Sequence, residues 1–177
     1  LPSDDIHFAV GAIAKGYIAD RMKDLLVKKG VKSAIINLGG NVLCIGSKPD
    51  GTPFKVGIQK PFADRNETEA VMDITGKSVV SSGIYERCFK QNGKLYHHIL
   101  NPKTGFPYDN SLISVTIISD QSVDGDALST TCFALGLEDG LKFAEKKGVQ
   151  AVLITEDYEL HYMDGFQDEI NVTDVES

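Results

Sequence analysis

Residues 96–107 read Tyr96-His97-His98-Ile99-Leu100-Asn101-Pro102-Lys103-Thr104-Gly105-Phe106-Pro107 and mark the point where a strand gives way to a loop. The first residues have strand character, whereas two prolines and a glycine prevent any regular element from continuing. Side chains alternate across a strand, so His97 and His98 are expected to point to opposite sides, one to the sheet interior and one to the loop. Catalytic and ligand-binding side chains often lie on such loops. A single histidine at this kind of position is nevertheless more often structural.

A second polar cluster, Asp124-Gly125-Asp126-Ala127-Leu128-Ser129-Thr130, follows and reads as the start of a helix. Asp126 and Thr130 are one helical turn apart, so their carboxylate and hydroxyl should point the same way. Magnesium is usually held by one or two protein carboxylates, with waters and substrate phosphates completing its shell. The alternative is an acid that favours the helix dipole and a threonine bonded to a backbone carbonyl, and the pair taken alone favours that alternative.

A third candidate region, Gly11-Ala12-Ile13-Ala14-Lys15-Gly16, opens the first predicted helix. It faintly resembles a phosphate-binding P-loop, but that motif needs Gly-Lys-Ser/Thr in order, and here Lys15 precedes the glycine and Tyr17 follows it. A P-loop nucleotide triphosphatase is therefore excluded. Two interpretations remain: glycines that permit a tight helix start, or a helix N-terminus whose free amides and Lys15 face an anion.

The rest of the pattern predicts an α+β fold, with a mixed, largely antiparallel sheet and about three helices in a single domain over residues 1–177. Helical spacing of apolar residues predicts helices over residues 12–29, 126–136 and 141–147. Strands are predicted over residues 31–45, 54–59, 70–74, 78–82, 84–89, 94–99, 112–119, 149–155 and 159–163. We expect residues 54–59 to return as a hairpin on residues 31–45, and Gly39-Gly40 to form a bulge or a close backbone approach. The acidic tail after Gln167 allows a further edge strand, and residues 1–8 are expected to be poorly anchored.

The charge and the cysteine content of the chain argue against several functional classes. The formal net charge is -7 and the sequence pI is about 5.0, which argue against a nucleic-acid binder and give no reason to expect an anionic membrane partner. Cys44, Cys88 and Cys132 are far apart and odd in number, so we interpret them as buried thiols rather than a disulfide framework or a zinc site. No apolar run reaches transmembrane length, and no signal peptide or lipobox is visible in this chain.

Taken together and in order, six motifs resemble the ApbE family, whose members take FMN from FAD and attach it to a threonine or serine of a partner protein. The motifs begin at Gly11-Ala-Ile-Ala-Lys-Gly-Tyr-Ile-Ala-Asp, Asn37-Leu-Gly-Gly-Asn, Phe54-Lys-Val-Gly-Ile-Gln-Lys-Pro, Ser81-Ser-Gly-Ile-Tyr-Glu-Arg, His97-His-Ile-Leu-Asn-Pro-Lys-Thr-Gly and Asp126-Ala-Leu-Ser-Thr. The resemblance runs from about residue 9 to residue 155. It implies an ApbE-like fold, FAD as substrate and a flavoprotein acceptor as partner.

The resemblance also implies roles for particular residues. The family's magnesium ligands fall on Asp126, Thr130 and the main-chain carbonyl of Ala12. The family's FAD-binding positions fall on Lys15 and on the backbone around Leu100. The histidine at the pyrophosphate falls on His98, which is expected to accept the acceptor hydroxyl's proton while AMP leaves.

Two departures from the family pattern qualify this reading. Family members usually begin the first motif with an Asp-Leu pair, where this chain has Ala9-Val10. Family members also have roughly a hundred further residues before that motif. The chain is therefore expected to correspond to the C-terminal part of such an enzyme, or to a short relative. In either case we expect it to bind FAD weakly by itself. There are two alternatives to FMN transfer. The chain is a relative that binds flavin or a protein without catalysis, or it hydrolyses FAD to FMN and AMP. Relatives are often exported lipoproteins, so the resemblance implies the cell envelope.

Overall fold

The structure, a computed structural model, describes residues 10–64 and 67–174. Its helices are α1 (Ala14–Lys28), α2 (Ser122–Leu135), α3 (Leu137–Lys147) and the short α4 (Phe166–Glu169). Its strands are β1 (Ala34–Asn37), β2 (Asn41–Ile45), β3 (Phe54–Gln59), β4 (Thr68–Ile74), β5 (Ser78–Gly83), β6 (Cys88–Gln91), β7 (Lys94–His97), β8 (Leu112–Ser119), β9 (Gln150–Thr155), β10 (Leu160–Tyr162) and β11 (Val172–Asp174). The expectation for residues 1–8, and the departure at Ala9, fall outside the described residues.

The strands form a main sheet in the order β1-β2-β5-β8-β9-β10, a three-stranded sheet β11-β4-β3 and the separate hairpin β6–β7. Every strand pair within the described ranges is antiparallel. All eight residues of β8 are buried, which is typical of a central strand covered on both faces. The predicted α+β class with a largely antiparallel sheet is confirmed, as is the edge strand in the tail. No helix in the described part of the chain is long and apolar enough to cross a membrane.

Three predictions about the strands differ from the structure. Gly39 and Gly40 have φ values of 63° and 87° and form the turn of a β1–β2 hairpin, so the predicted bulge is wrong. Because β2 then pairs with β1 on one edge and β5 on the other, β3 pairs with β4 instead of returning onto β2. The predicted strand over residues 84–89 begins only at Cys88, since residues 84–87 form a turn.

The start of α2 lies four residues before the predicted one, because its cap comes from a distant part of the chain. The carboxylate of Asp20 in α1 accepts hydrogen bonds from the amides of Ser122 at 2.8 Å and Val123 at 2.9 Å. These are amides that a helix start leaves without intrahelical partners. In the other direction, Asp126 in α2 accepts a hydrogen bond from the Gly16 amide in the first turn of α1, at 2.6 Å. Each helix therefore supplies a carboxylate to the N-terminus of the other.

Gly16 is the residue that allows these two helices to approach so closely. A Cβ atom added at Gly16 would lie 2.3 Å from the carbonyl oxygen of Ser122 and 2.6 Å from the Cα of Val123. Both neighbours are backbone atoms, so they cannot move aside as a flexible side chain would. The absence of a side chain at this position is thus what brings the two helix starts into contact.

We therefore expect Gly16→Ala to lower the free energy of unfolding by about 1–3 kcal/mol, even though alanine favours a helix. Urea denaturation with a constant m-value measures the change. Gly11→Ala is the control, because no atom lies within 4 Å of a Cβ at that position. Equal stability of Gly16→Ala and Gly11→Ala would contradict the close-approach explanation.

Candidate functional site

A cleft of about 1530 Å³ lies between the start of α1, the β1–β2 turn, the residues flanking β6–β7 and one face of α2. Its volume exceeds the range of about 300–1,000 Å³ that is typical of small-molecule pockets. All six residues predicted from the sequence line it: Ala12, Lys15, His98, Leu100, Asp126 and Thr130. The fold thus brings together side chains that are separated by more than a hundred positions in the chain.

Asp126 is buried at the bottom of this cleft, with a relative exposure of 5%. One carboxylate oxygen accepts the Gly16 amide at 2.6 Å and the other accepts the side-chain amide of Asn41 at 3.1 Å. Asp126 lies one turn inside α2, so the interpretation that it serves the dipole of its own helix is wrong; it lies at the N-terminus of α1 instead. Within the described ranges it makes no salt bridge.

Thr130 lies one turn after Asp126, and both side chains reach the cleft, as the spacing predicted. The Thr130 hydroxyl lies 3.4 Å from the hydroxyl of Ser82, which also bonds Ser129 at 2.8 Å. The alternative of a threonine that bonds the preceding turn applies to the neighbouring residue: the Thr131 hydroxyl donates to the Ala127 carbonyl at 2.8 Å. The Thr130 oxygen therefore remains available to a ligand in the cleft.

These oxygens fit the requirements of a hard divalent cation. Each carboxylate oxygen of Asp126 accepts one protein hydrogen bond and keeps a second lone pair. A buried carboxylate without a cationic partner favours the binding of a positive ion, and magnesium prefers carboxylate, hydroxyl and carbonyl oxygens. No group of three or more His, Cys, Asp or Glu side chains converges as metal ligands in the part of the chain that the structure describes. The ligands of a cation at this position would therefore be one carboxylate, neutral protein oxygens and oxygens of a bound substrate.

The start of α1 brings one basic side chain, Lys15, to the cleft. Ala12 lies in the turn before α1 and lines the cleft. The ammonium group of Lys15 donates to the carbonyl of Gly39 in the β1–β2 turn at 3.2 Å, and this holds the lysine across the cleft rim. Most amides in the first turn of α1 already have acceptors: Ala14 donates to the Val10 carbonyl at 2.9 Å, Gly16 to Asp126 at 2.6 Å and Tyr17 to the Ile13 carbonyl at 3.0 Å. The close packing at Gly16 therefore supports the interpretation of a tight helix start, whereas binding of an anion rests on Lys15 and stays a prediction.

The two histidines have opposite environments, as predicted. His97 is buried: its Nε2 lies 3.0 Å from the Tyr108 carbonyl and its Nδ1 accepts the Ile99 amide at 3.3 Å. Burial holds the pKa of His97 below its usual value, so this ring is neutral near pH 7 and structural. His98 is exposed at the cleft. Its backbone amide donates to the Arg87 carbonyl at 3.2 Å, which ties the two ends of the β6–β7 hairpin together at the cleft rim.

Leu100 is 53% exposed and pairs with Pro107 as an isolated antiparallel bridge. The loop between them is compact, because the Asn101 side chain accepts the Lys103 amide at 2.9 Å and the Asn101 amide donates to the Phe106 carbonyl at 2.8 Å. This arrangement is typical of an Asx-turn. The backbone around Leu100 is therefore held in place at the cleft wall.

Sequence reasoning did not single out several residues in and around the cleft. Tyr85 is partly buried in the wall, and this burial, beside Glu86, raises the pKa of its phenol to about 12, so it stays neutral. Arg87 adds a second basic side chain to the rim. Asn41 is fully buried and does not line the cleft, but its side chain donates a hydrogen bond to Asp126. All three residues lie within the six family motifs, but only the fold shows their relation to this site.

None of the three cysteines lines the cleft. Cys44 and Cys132 are buried, as predicted, and burial raises the pKa of each thiol to about 11, so both are inert at neutral pH. Cys88 in β6 is exposed, so its interpretation as a buried thiol is wrong. The reason is that β6 is an outer strand whose four residues are all exposed.

The fold and the cleft define a class: an antiparallel α+β protein whose large cleft joins two helix starts and a histidine loop. The chain belongs to the ApbE family, whose family model matches residues 1–153. It is 46% identical over 161 residues to a protein of Klebsiella pneumoniae named FAD:protein FMN transferase, covering 90% of this chain and 49% of that one. A Treponema pallidum protein of the same name is 38% identical, with 98% of this chain and 51% of that one covered.

Solved structures agree with the family assignment. The ApbE protein of Thermotoga maritima superposes with a TM-score of 0.82 at 30% identity, covering 90% of this chain and 52% of that one. The chain thus spans about half the length of the relatives that it matches. The predicted family and fold are confirmed.

Proposed function

We propose that this chain contributes to the magnesium-dependent transfer of FMN from FAD to a threonine or serine hydroxyl of a partner protein, with release of AMP. The observation that carries the proposal is the convergence of Asp126, Thr130, Lys15 and His98 on one cleft. The names of the K. pneumoniae and T. pallidum relatives support it.

The diphosphate of FAD would lie between the start of α1 and the facing side of α2. The positive end of the α1 dipole and the ammonium group of Lys15 would attract its negative charge. Arg87 at the rim adds a further positive charge near the same wall. The backbone around Leu100 would line the side of the cleft along which the rest of the nucleotide lies.

A bound magnesium ion would be held by the Asp126 carboxylate, the Thr130 hydroxyl and the Ala12 carbonyl, and it would neutralise charge on the diphosphate. The protein prepares this site by burying Asp126 and fixing both of its oxygens with hydrogen bonds from Gly16 and Asn41. A carboxylate held in this way has little freedom to reorganise during the reaction.

His98 would act on the acceptor. The acceptor oxygen would form a new bond to the phosphorus of the FMN half, while the bond between that phosphorus and the bridging oxygen breaks and AMP leaves with the oxygen. The proton of the acceptor hydroxyl would pass to the His98 ring. The neighbouring His97 cannot take this role, because it is buried and both ring nitrogens are engaged.

The test is to incubate the chain with FAD, magnesium and a panel of threonine- and serine-containing peptides, and then to measure the peptide masses. A mass gain equal to the FMN moiety supports the proposal. Release of AMP without that gain would show FAD hydrolysis instead. No change in either peptide or FAD would contradict transfer and favour a binding role.

A further inference from the structure

The β6–β7 hairpin is an exposed element that the catalytic proposal does not use. All four residues of β6 are exposed, and Phe89 is 61% exposed although it is a large apolar side chain. Its ring stacks on that of Tyr96 across the hairpin, with centroids 5.2 Å apart and an interplanar angle of 9°. The stack therefore leaves the Phe89 ring as an exposed aromatic surface on the hairpin.

The same segment is basic in an otherwise acidic protein. Residues 84–108 contain four basic residues and one acidic residue, whereas the whole chain carries a net charge of -7. The basic side chains are all exposed: Arg87, Lys90, Lys94 and Lys103. None of them forms a salt bridge within residues 10–64 and 67–174. Lys94 lies over the Tyr96 ring at 5.9 Å.

The hairpin also offers unpaired backbone groups. Among the described strands, β6 pairs with β7 alone, so its outer edge has no strand partner. An exposed strand edge is a template on which an extended peptide can add as a further strand. Exposed aromatic and basic side chains beside such an edge favour an extended peptide that carries acidic residues.

The base of the hairpin leads into the cleft. Arg87 immediately precedes β6, His98 immediately follows β7, and both line the cleft. The His98 amide bonds the Arg87 carbonyl at 3.2 Å. A chain that lies along β6 would therefore bring a side chain near the base of the hairpin to the proposed proton acceptor.

We propose that the β6–β7 hairpin is the docking site of the acceptor protein, which adds along β6 as an extended, acidic segment with its hydroxyl residue at the base beside His98. This inference rests on the proposed function, because that function is what identifies the docked partner as the acceptor protein. Acidic residues of the segment would lie near Lys90 and Lys94, and the Phe89–Tyr96 stack would cover its apolar residues. Elsewhere the net negative charge of the protein would repel the same segment.

The test uses two synthetic peptides with one central threonine, one flanked by Asp and Glu and the other by Lys in the same positions. Fluorescence anisotropy measures their binding to the chain without FAD. We expect the acidic peptide to bind roughly tenfold more tightly, and the double variant Lys90→Glu, Lys94→Glu to remove or reverse this preference. Hydrogen exchange at residues 88–91 should slow when the acidic peptide binds, because strand addition pairs the outer amides.

The matched control is Lys28→Glu with Lys32→Glu, which changes the net charge equally. Lys28 ends α1, about 20 Å from the helix start at the cleft, given a rise of 1.5 Å per residue. An unchanged peptide preference in the hairpin variant, or an equal loss in the control, would overturn the docking proposal. So would a hairpin variant that alters only self-association, since a second copy would then cover this surface. A separate FAD titration tests the proposed function. Because peptide binding is measured without FAD, the docking proposal and the proposed function can fail independently.

Discussion

Replacing Asp126 by Asn is expected to lower FMN transfer by about 10²–10³-fold, because the substitution keeps the shape of the side chain but removes the charge that would hold the metal. Asp126 is buried and makes no salt bridge in the described part of the chain, so its charge is free to be balanced by a bound cation. The measurement is the rate of FMN attachment at saturating FAD, across a range of magnesium concentrations.

The structure changes the stability expected for this variant. From the sequence, Asp126→Asn should alter stability by no more than about 1 kcal/mol, as for an exposed site. In the structure its two oxygens accept the Gly16 and Asn41 donors, so an amide nitrogen at one of them would face a donor. We now expect a loss of about 1–3 kcal/mol, and transfer must be assayed well below the variant's melting temperature.

Asp124→Asn is the matched control, since it removes the same charge from the same helix at an exposed position outside the cleft. It should transfer FMN at close to the wild-type rate. Wild-type transfer by Asp126→Asn, with unchanged dependence on magnesium, would refute the metal assignment.

Replacing His98 by Gln is expected to lower the rate constant of transfer by about 10²-fold or more while leaving FAD affinity nearly unchanged. Glutamine keeps a polar side chain at the exposed rim but cannot take up the proton of the acceptor hydroxyl. Single-turnover kinetics and an FAD titration measure the two effects separately.

His161→Gln provides the control, because His161 is partly buried in β10 and lies outside the cleft. It should leave both the rate and the FAD affinity unchanged. If His98→Gln keeps the wild-type rate, another group must accept the proton and the role of His98 is wrong.

The sequence predicted those parts of the fold that local signals specify. An Asn-Gly pair between two strands is a local signal for a tight hairpin, and Asn92-Gly93 has φ values of 51° and 77°, as a type I′ turn requires. The β-branched run of β8 likewise predicted a strand, and it is the buried centre of the main sheet. Both signals lie within a few neighbouring residues.

Features that depend on distant partners could not be predicted in this way. The start of α2 was placed too late because its cap, Asp20, lies about a hundred residues earlier in the chain. For the same reason, the environment of Asp126 could not be derived from its own helix, since its donors come from α1 and β2. The six site residues were found through motifs typical of a family, and their convergence on one cleft required the fold.

The most direct test of the central claim, that this cleft holds FAD and its metal, is a crystal structure of the chain grown with FAD and manganese as an anomalous stand-in for magnesium. We predict density for the diphosphate between the start of α1 and α2, with the anomalous peak beside the Asp126 carboxylate and the Thr130 hydroxyl. FAD bound elsewhere on the protein, or a metal peak remote from Asp126, would contradict the account.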